Sequence, residues 1–237
     1  MIKTFIIIPC YNPDYSFTRF FNNLHKYLNE DVQCLVVSDG SSEECLMLIE
    51  HTIQNKPFTQ LLAYPNNQGK GFAIKYGISY LLEKNQDVKF NIITADCDGQ
   101  HLVNDIIKFV ERLQNDPLNH LLLGIRDYDS WIPFHSRLGH FLSNIGFKIF
   151  FNINLKDTHC GLRGFNSNIA KQLLMLPWNR FEFELAMIPY CVKNYFIVTE
   201  HIKGVYDKAQ YKTTYRIKDW WYNLKSFFEI RKFLKRN

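Results

Sequence analysis

Short unbroken apolar runs recur along the first half of the chain, each followed by a longer stretch in which apolar positions return every three or four residues. Residues 5–9 (FIIIP), 34–38 (CLVVS), 60–64 (QLLAY), 90–95 (FNIITA) and 120–125 (HLLLGI) lack the alternation of a strand with one wet face. They predict strands buried on both sides. Between them, 16–29, 43–54, 69–84 and 102–115 carry helical spacing, as in Phe17, Phe20, Phe21, Leu24 and Leu28. Strand and helix alternating at this pitch, with right-handed crossovers, predict an α/β fold built on a doubly wound, mostly parallel sheet with flanking helices. Past residue 130 the pattern changes to a helix over 134–151, a loop over 154–164, helices over 166–175 and 180–194, and a strand over 195–202. Pro189 should kink the helix that contains it. No linker or internal repeat interrupts the chain.

A third pattern closes the sequence. Ile217, Trp220, Trp221, Leu224, Phe227, Phe228 and Leu234 recur at helical spacing, with Lys218, Lys225 and Lys232 seven apart on a different face. Residues 208–237 hold nine basic and two acidic residues, against 19 basic and 21 acidic in residues 1–207. The expected organisation is therefore a domain over 1–207 and a basic amphipathic helix within 208–237. A helix with two tryptophans and two phenylalanines on one side suits a membrane surface, the preferred reading, or packing on the domain with its lysines solvated. The acidic balance of residues 1–207 argues against nucleic acid as a partner.

Composition narrows the class further. With 237 residues, 46% hydrophobic and 22% charged, the chain is long enough to bury about 73% of its unfolded surface. Eleven glycines and eight prolines without low complexity exclude disordered and collagenous chains. No apolar run approaches the roughly 18 residues of a membrane span, and Pro9 breaks the first one too early for a secretory leader. Cys10, Cys34, Cys45, Cys97, Cys160 and Cys191 show no CxxC spacing and read as reduced thiols of a cytoplasmic protein. With the amphipathic helix, that places the protein at the cytoplasmic face of a membrane, attached peripherally.

Ligands of an open parallel sheet sit beyond the carboxyl ends of its strands, and there this chain collects polar residues. Pro9, Tyr11 and Asn12 follow the first strand; Asp39, Gly40, Ser41 and Ser42 the second; Asn66 to Gly71 the third; and Asp96, Asp98, Gly99, Gln100 and His101 the fourth. Ser41, Ser42 and Asp39 are explained equally well as turn and helix-cap residues. Asp96 and Asp98 are not, because two carboxylates at one strand end repel each other unless a cation neutralises them. Mg²⁺ or Mn²⁺ is the natural partner, with Asp96, Asp98 and the amide oxygen of Gln100 as ligands. The segment NNQGKGFA lacks the spacing of a phosphate loop. It reads as a tight turn that presents Lys70 to a phosphate or carboxylate.

Taken in order, IIIPCYN, VVSDGSS, NQGKGFAIKYG, TADCDGQH, GIRDY, DTHCGLRGF and RFEFE resemble the family 2 glycosyltransferases of GT-A, Rossmann-like fold. They are most similar to the dolichol-phosphate mannose synthase and polyprenyl-phosphate glycosyltransferase branch. The resemblance implies that Pro9, Tyr11, Asn12, Ser38 and Asp39 hold the nucleobase and ribose, although Ser38 stands where the family usually has an aspartate. It puts Asp96, Asp98 and Gln100 around metal and donor diphosphate, and Arg126 and Arg137 on phosphate. Arg163 matches an acceptor-side motif with Asp157 and Gly161. Asp157, Glu182 and Glu184 are candidate proton acceptors, and Ala186 replaces a third acidic residue of the last motif. His159 and Cys160 beside Asp157 are not read as metal ligands.

The implied activity is metal-dependent, inverting transfer of a sugar from a UDP- or GDP-sugar to a polyprenyl phosphate or a cell-envelope glycan. Two alternatives remain at this level: a nucleotidyltransferase that makes nucleotide-sugars, disfavoured by PCYNPD after the first strand, and an inactive nucleotide-sugar-binding protein, disfavoured by the intact DxDxQ.

Overall fold

The computed structural model of the chain describes residues 2–86, 88–116, 119–127, 134–203 and 217–236. Seven strands, β1 (Thr4–Cys10), β2 (Val32–Asp39), β3 (Thr59–Tyr64), β4 (Asn91–Thr94), β5 (His120–Asp127), β6 (Arg163–Asn166) and β7 (Phe196–Lys203), form one sheet in the order β3-β2-β1-β4-β6-β5-β7. Eight α-helices among the described residues surround it: α1 (Tyr15–Leu24), α2 (Glu43–Ile53), α3 (Lys70–Lys84), α4 (Val103–Asn115), α5 (Phe134–Phe151), α6 (Ser167–Leu173), α7 (Phe181–Asn194) and α8 (Ile217–Arg236).

The unbroken apolar runs are explained by two cores. Phe5 and Ile7 of β1 point into a layer with Ile74 of α3, Ile169 of α6 and Phe183 of α7. Ile6 and Ile8 point the other way, among Phe17 of α1, Ile49 of α2 and Phe109 of α4. Each fully buried isoleucine contributes about 2 kcal/mol relative to exposure, so both faces of β1 stabilise the sheet. Side-chain caps start several helices, with Asp14 accepting from the Ser16 amide at 2.8 Å before α1 and Ser42 from the Cys45 amide at 3.4 Å before α2.

Four expectations need correction. The sheet is mostly parallel as expected, but β6, for which no strand was expected, lies antiparallel between β4 and β5; RGFN is too short and too polar to signal a strand. β3 is an edge strand with half-exposed residues, since only β2 pairs with it. The helix expected over 16–29 ends as α-helix at Leu24 and continues as a 3₁₀ turn over His25–Tyr27. Pro189, for its part, sits buried inside an uninterrupted α7.

The expected boundary at 207/208 lies outside the described residues, as do the side chains of Trp220 and Trp221. The second half of α8 packs on the domain. Phe227 is 3% exposed and Ile230 fully buried, and the Phe227 ring meets Phe147, Phe150 and Phe151 with centroids 5.3 to 5.9 Å apart. Gly146 makes this possible, since a Cβ there would stand 2.2 Å from Phe227. Phe227 and Phe228, expected on one apolar face, therefore part: Phe228 is 60% exposed. Phe227→Ala should destabilise the fold by about 3–5 kcal/mol through the cavity it leaves, whereas Phe228→Ala should cost less than about 1 kcal/mol. Urea unfolding of the two variants measures the difference.

Candidate active site

The parallel strands end along one edge, and there the chain assembles a line of charge. Lys70, the first residue of α3, places its Nζ 2.6 Å from Asp96 Oδ1 and 2.8 Å from Glu184 Oε2. Asp96 follows β4 and Glu184 sits in the first turn of α7. On its other oxygen, Oδ2, Asp96 meets His101 Nε2 at 3.1 Å. Burial alone would lower the Lys70 pKa, but the carboxylates of Asp96 and Glu184 outweigh it and raise it. Burial would likewise raise Asp96; Lys70 and then His101 hold it well below the usual carboxylate range.

Close backbone approach makes the cluster possible. A Cβ on Gly161 would stand 2.5 Å from Asp96 Oδ2, and one on Gly69, at φ +105°, would stand 2.6 Å from the Asn179 carbonyl oxygen. The amide of Phe72 donates to that carbonyl at 2.7 Å, which fastens the start of α3 to the approach of α7. Asp98 behaves differently from Asp96. It is exposed, its Oδ1 accepts from the Gln100 amide at 3.0 Å, and neighbouring protein atoms together with the Asp96 charge push its pKa up.

Asp39 is buried and saturated. Oδ1 accepts from Tyr64 Oη at 2.9 Å and the Gln68 amide at 2.7 Å, and Oδ2 from Asn67 Nδ2 and the Gly69 amide, each at 2.9 Å. Its carboxylate thus shapes the loop that delivers Lys70. Asn12, at φ +45°, joins the first two loops: its amide donates to Ser41 Oγ at 3.1 Å and its Oδ1 accepts from the Ser42 amide at 2.8 Å. Tyr11 stands exposed beside them, while Pro9 and Ser38 are buried.

The later motifs form a second assembly. Asp157 is fully buried and holds Arg126 at both ends, with Arg126 Nε 2.6 Å from Oδ2 and Nη2 3.0 Å from Oδ1. Such a bidentate pair fixes the guanidinium in a plane. Arg163 turns inward. It is 1% exposed and donates to the carbonyl oxygens of Cys160 at 3.1 Å, Thr158 at 3.4 Å and Glu184. Expected to face a ligand, it instead clamps the Thr158–Gly161 segment to α7. Glu182 is half-buried one residue from the start of α7. Arg137 lies in the first turn of α5, its side chain outside the described residues. Sequence reasoning missed His101, Tyr64, Asn67 and Gly161 as organisers; the position of His101 directly after DxDxQ is a usable signal, while Tyr64 carries none beyond ending a strand.

The donor set suits a hard divalent cation. Asp96 and Glu184 share one ammonium, and Asp98 lies exposed beside them with its pKa raised by the surrounding protein atoms and by the Asp96 charge. No cluster of three or more His, Cys, Asp or Glu ligands occurs among the described residues; of the expected set, Asp98 presents an exposed carboxylate, whereas the oxygens of Asp96 are engaged by Lys70 and His101.

A family model described as Glycosyl transferase family 2 matches residues 5–174, and the chain belongs to that family. A dolichyl-phosphate β-glucosyltransferase of Dictyostelium discoideum is 26% identical over 205 residues, 77% of this chain and 60% of its own. A UDP-N-acetylglucosamine–dolichyl-phosphate N-acetylglucosaminyltransferase of Methanococcus voltae is 24% identical over 186 residues, covering 71% of each chain. The chain thus spans well short of the full length of these relatives. Among solved structures, glucosyl-3-phosphoglycerate synthase of Mycobacterium tuberculosis, crystallised with Mn²⁺, uridine diphosphate and phosphoglyceric acid, superposes with a TM-score of 0.71 at 10% identity over 97% of this chain and 78% of that one. The fold is the α/β GT-A fold.

Two outcomes follow from the electrostatics. Asp39→Asn should lower stability by about 1–3 kcal/mol, because an amide cannot accept from all its donors; unchanged urea unfolding would show the loop does not depend on that carboxylate. For the ion pair the signs are opposite. The contribution of Asp96 is complete above the ordinary carboxylate range and lost as pH falls through its depressed value, and that of Lys70 is complete below the ordinary lysine range and lost as pH rises through its raised value. Lys70→Met should therefore be less stable than the parent by a gap that is flat from about pH 6 to 9 and narrows below about pH 4. A gap that stays constant into acid would contradict the pairing.

Proposed function

We propose that this chain transfers a sugar from a UDP- or GDP-sugar to a polyprenyl-type lipid phosphate, with inversion at the anomeric carbon. The single observation that carries this reading is the pairing of the two buried candidate bases. Asp157 accepts from Arg126 with both oxygens and Glu184 is paired to Lys70 through Oε2, so the carboxylate of the acceptor-side motif is committed to fixing a guanidinium rather than to taking a proton from a sugar hydroxyl. A phosphate acceptor is already anionic and needs no such base. The names of the Dictyostelium and Methanococcus relatives, both transferases to dolichyl phosphate, support the same acceptor class. Within family 2, the nucleotidyltransferase alternative has no further support.

In this reading the acceptor phosphate oxygen forms a bond to the anomeric carbon as the bond from that carbon to the donor diphosphate breaks, and the nucleoside diphosphate leaves with the electron pair. Asp98, with Asp96 and Gln100, would hold a divalent cation, whose chemistry is to stabilise negative charge on the departing diphosphate. The Mn²⁺ and uridine diphosphate of the mycobacterial synthase, and the GDP-mannose and Mn²⁺ of a Pyrobaculum calidifontis mannosyltransferase with a TM-score of 0.59, are in keeping with that. Lys70 holds Asp96 ionised and fixed. Tyr11 and Asn12 border the donor from the first loop, and Arg126, oriented by Asp157, borders the acceptor side. No helix among the described residues is long and apolar enough to cross a membrane; contact with the bilayer, expected through the C-terminal helix, would be made at its surface.

The test is a panel of UDP-glucose, UDP-N-acetylglucosamine and GDP-mannose offered with dolichyl phosphate in detergent and Mn²⁺. One donor should yield a glycolipid, and EDTA should abolish it. Asp98→Asn should lower turnover by about a hundredfold or more with unchanged thermal unfolding. Transfer that survives EDTA would remove the metal, and transfer to a neutral glycan but not to the lipid phosphate would remove the acceptor.

A further inference from the structure

Helix α5 is amphipathic in the wrong direction for a helix on an aqueous surface. Its inner face carries buried Gly146 and Phe147 against α8. Its outer face carries Phe141, 61% exposed, Ile145, 38%, and Ile149, 67%. Spaced by four, they form one stripe along the helix, and Lys148 is exposed beside them. Phe228 of α8 extends the apolar patch, its ring 4.6 Å from Phe150 by centroid. Around Phe228 the outward positions of α8 are mostly cationic: Lys225, Arg231, Lys232, Lys235 and Arg236 are exposed, and exposed Glu229 pairs with Lys225 at 3.8 Å.

Charge identifies what covers this face. The sequences of α5 and α8 together contain eight Lys and Arg and two Asp and Glu, leaving 20 basic and 21 acidic residues for the rest of a chain of net charge +5. All of the net positive charge therefore sits on the two packed helices that expose the stripe. A second copy of the chain would bring two such cationic faces together, which is repulsive. An anionic bilayer supplies both an apolar interior for the stripe and negative charge for its rim.

We propose that the α5 stripe, flanked by Phe228 and the cationic face of α8, docks on an anionic membrane surface. In this arrangement α5 enters the interface and α8, whose Phe227 and Ile230 are committed to the core, serves as its cationic flank. The position bears on the chemistry. Ser143 of α5 lies 3.2 Å from Thr158 by their hydroxyl oxygens, and Asn144 Nδ2 donates to the Lys156 carbonyl at 2.8 Å. The segment that carries Asp157 is thus bonded to the docking helix, so a docked protein brings its acceptor side to the headgroups. That link to the acceptor rests on the function proposed above; the docking does not.

The experiment sediments the full chain with vesicles of phosphatidylcholine mixed with phosphatidylglycerol, and with phosphatidylcholine alone. The parent should bind the mixed vesicles, bind neutral ones far less, and release as salt rises. Phe141→Ser, Ile145→Ser and Ile149→Ser combined should weaken binding by about tenfold or more, and Phe141→Ser with Ile149→Ser, the two more exposed positions, should weaken it in the same direction with little change in melting temperature. Lys225→Glu with Lys232→Glu should flatten the salt dependence. A parent indifferent to acidic vesicles, or a triple variant that binds like the parent, overturns the proposal. So does a lipid-free dimer of the parent that the triple variant loses, which would assign the face to a second copy. Vesicle binding as expected without any sugar transfer to lipid phosphate would sink the acceptor reading alone; transfer in detergent with stripe-independent binding would sink the docking alone.

Discussion

An ammonium held between two carboxylates is the constraint around which the strand ends close. Lys70 can meet Asp96 and Glu184 at 2.6 and 2.8 Å only if the start of α3, the end of β4 and the first turn of α7 converge within a few ångströms. Removing three charges from water is costly, and their mutual attraction offsets the cost only where geometry and further hydrogen bonds are good. The surroundings meet that condition. Asp39 gathers four donors to fix the loop before Lys70, His101 occupies the second oxygen of Asp96, and Gly161 keeps its backbone clear of the same carboxylate.

The acceptor-side segment depends on the same convergence through Arg163. This arginine is buried and is held by the carbonyls of Thr158, Cys160 and Glu184. It spans from the segment that presents Asp157 to the residue that holds Lys70. A displacement of α7 would therefore be felt on both sides of the site, and the charge of Arg163 would lose a third of its carbonyl acceptors.

The sheet was legible because its strands lie between two helical layers, which writes them as continuous apolar runs. β6 was not, because RGFN inserts between two strands with only four residues and begins with a charge. The polar edge of the sheet was legible by type, in that Asp96, Asp98, Lys70 and Glu184 were all marked, but not by pairing. Spacing along the chain cannot reveal that Lys70 meets a carboxylate 114 positions later, or that Asp39 and Arg163 turn inward. A motif shows that a residue is needed at a position; only the fold shows whether it faces substrate or another side chain. The C-terminal helix divides in the same way. Its period was evident, yet Gly146 on α5, which lets Phe227 in, left no mark within the helix itself.

The acceptor and the outer face of α5 constrain each other. A sugar hydroxyl requires a carboxylate within hydrogen-bond reach and free to be protonated, whereas Asp157 is fully buried under a bidentate guanidinium. A phosphate requires fixed positive charge instead, and an arginine locked in plane by its own carboxylate supplies a preorganised donor that needs no rearrangement as charge moves. A phosphate on a long lipid stays at the headgroup level, so the site must come to it. One helix, about 10–12 Å across, separates the exposed stripe of α5 from the Thr158 segment bonded to its inner side. In the proposed docking, with that stripe in the interface, the Thr158 segment would stand at headgroup depth, and a lipid tail would not have to leave the bilayer.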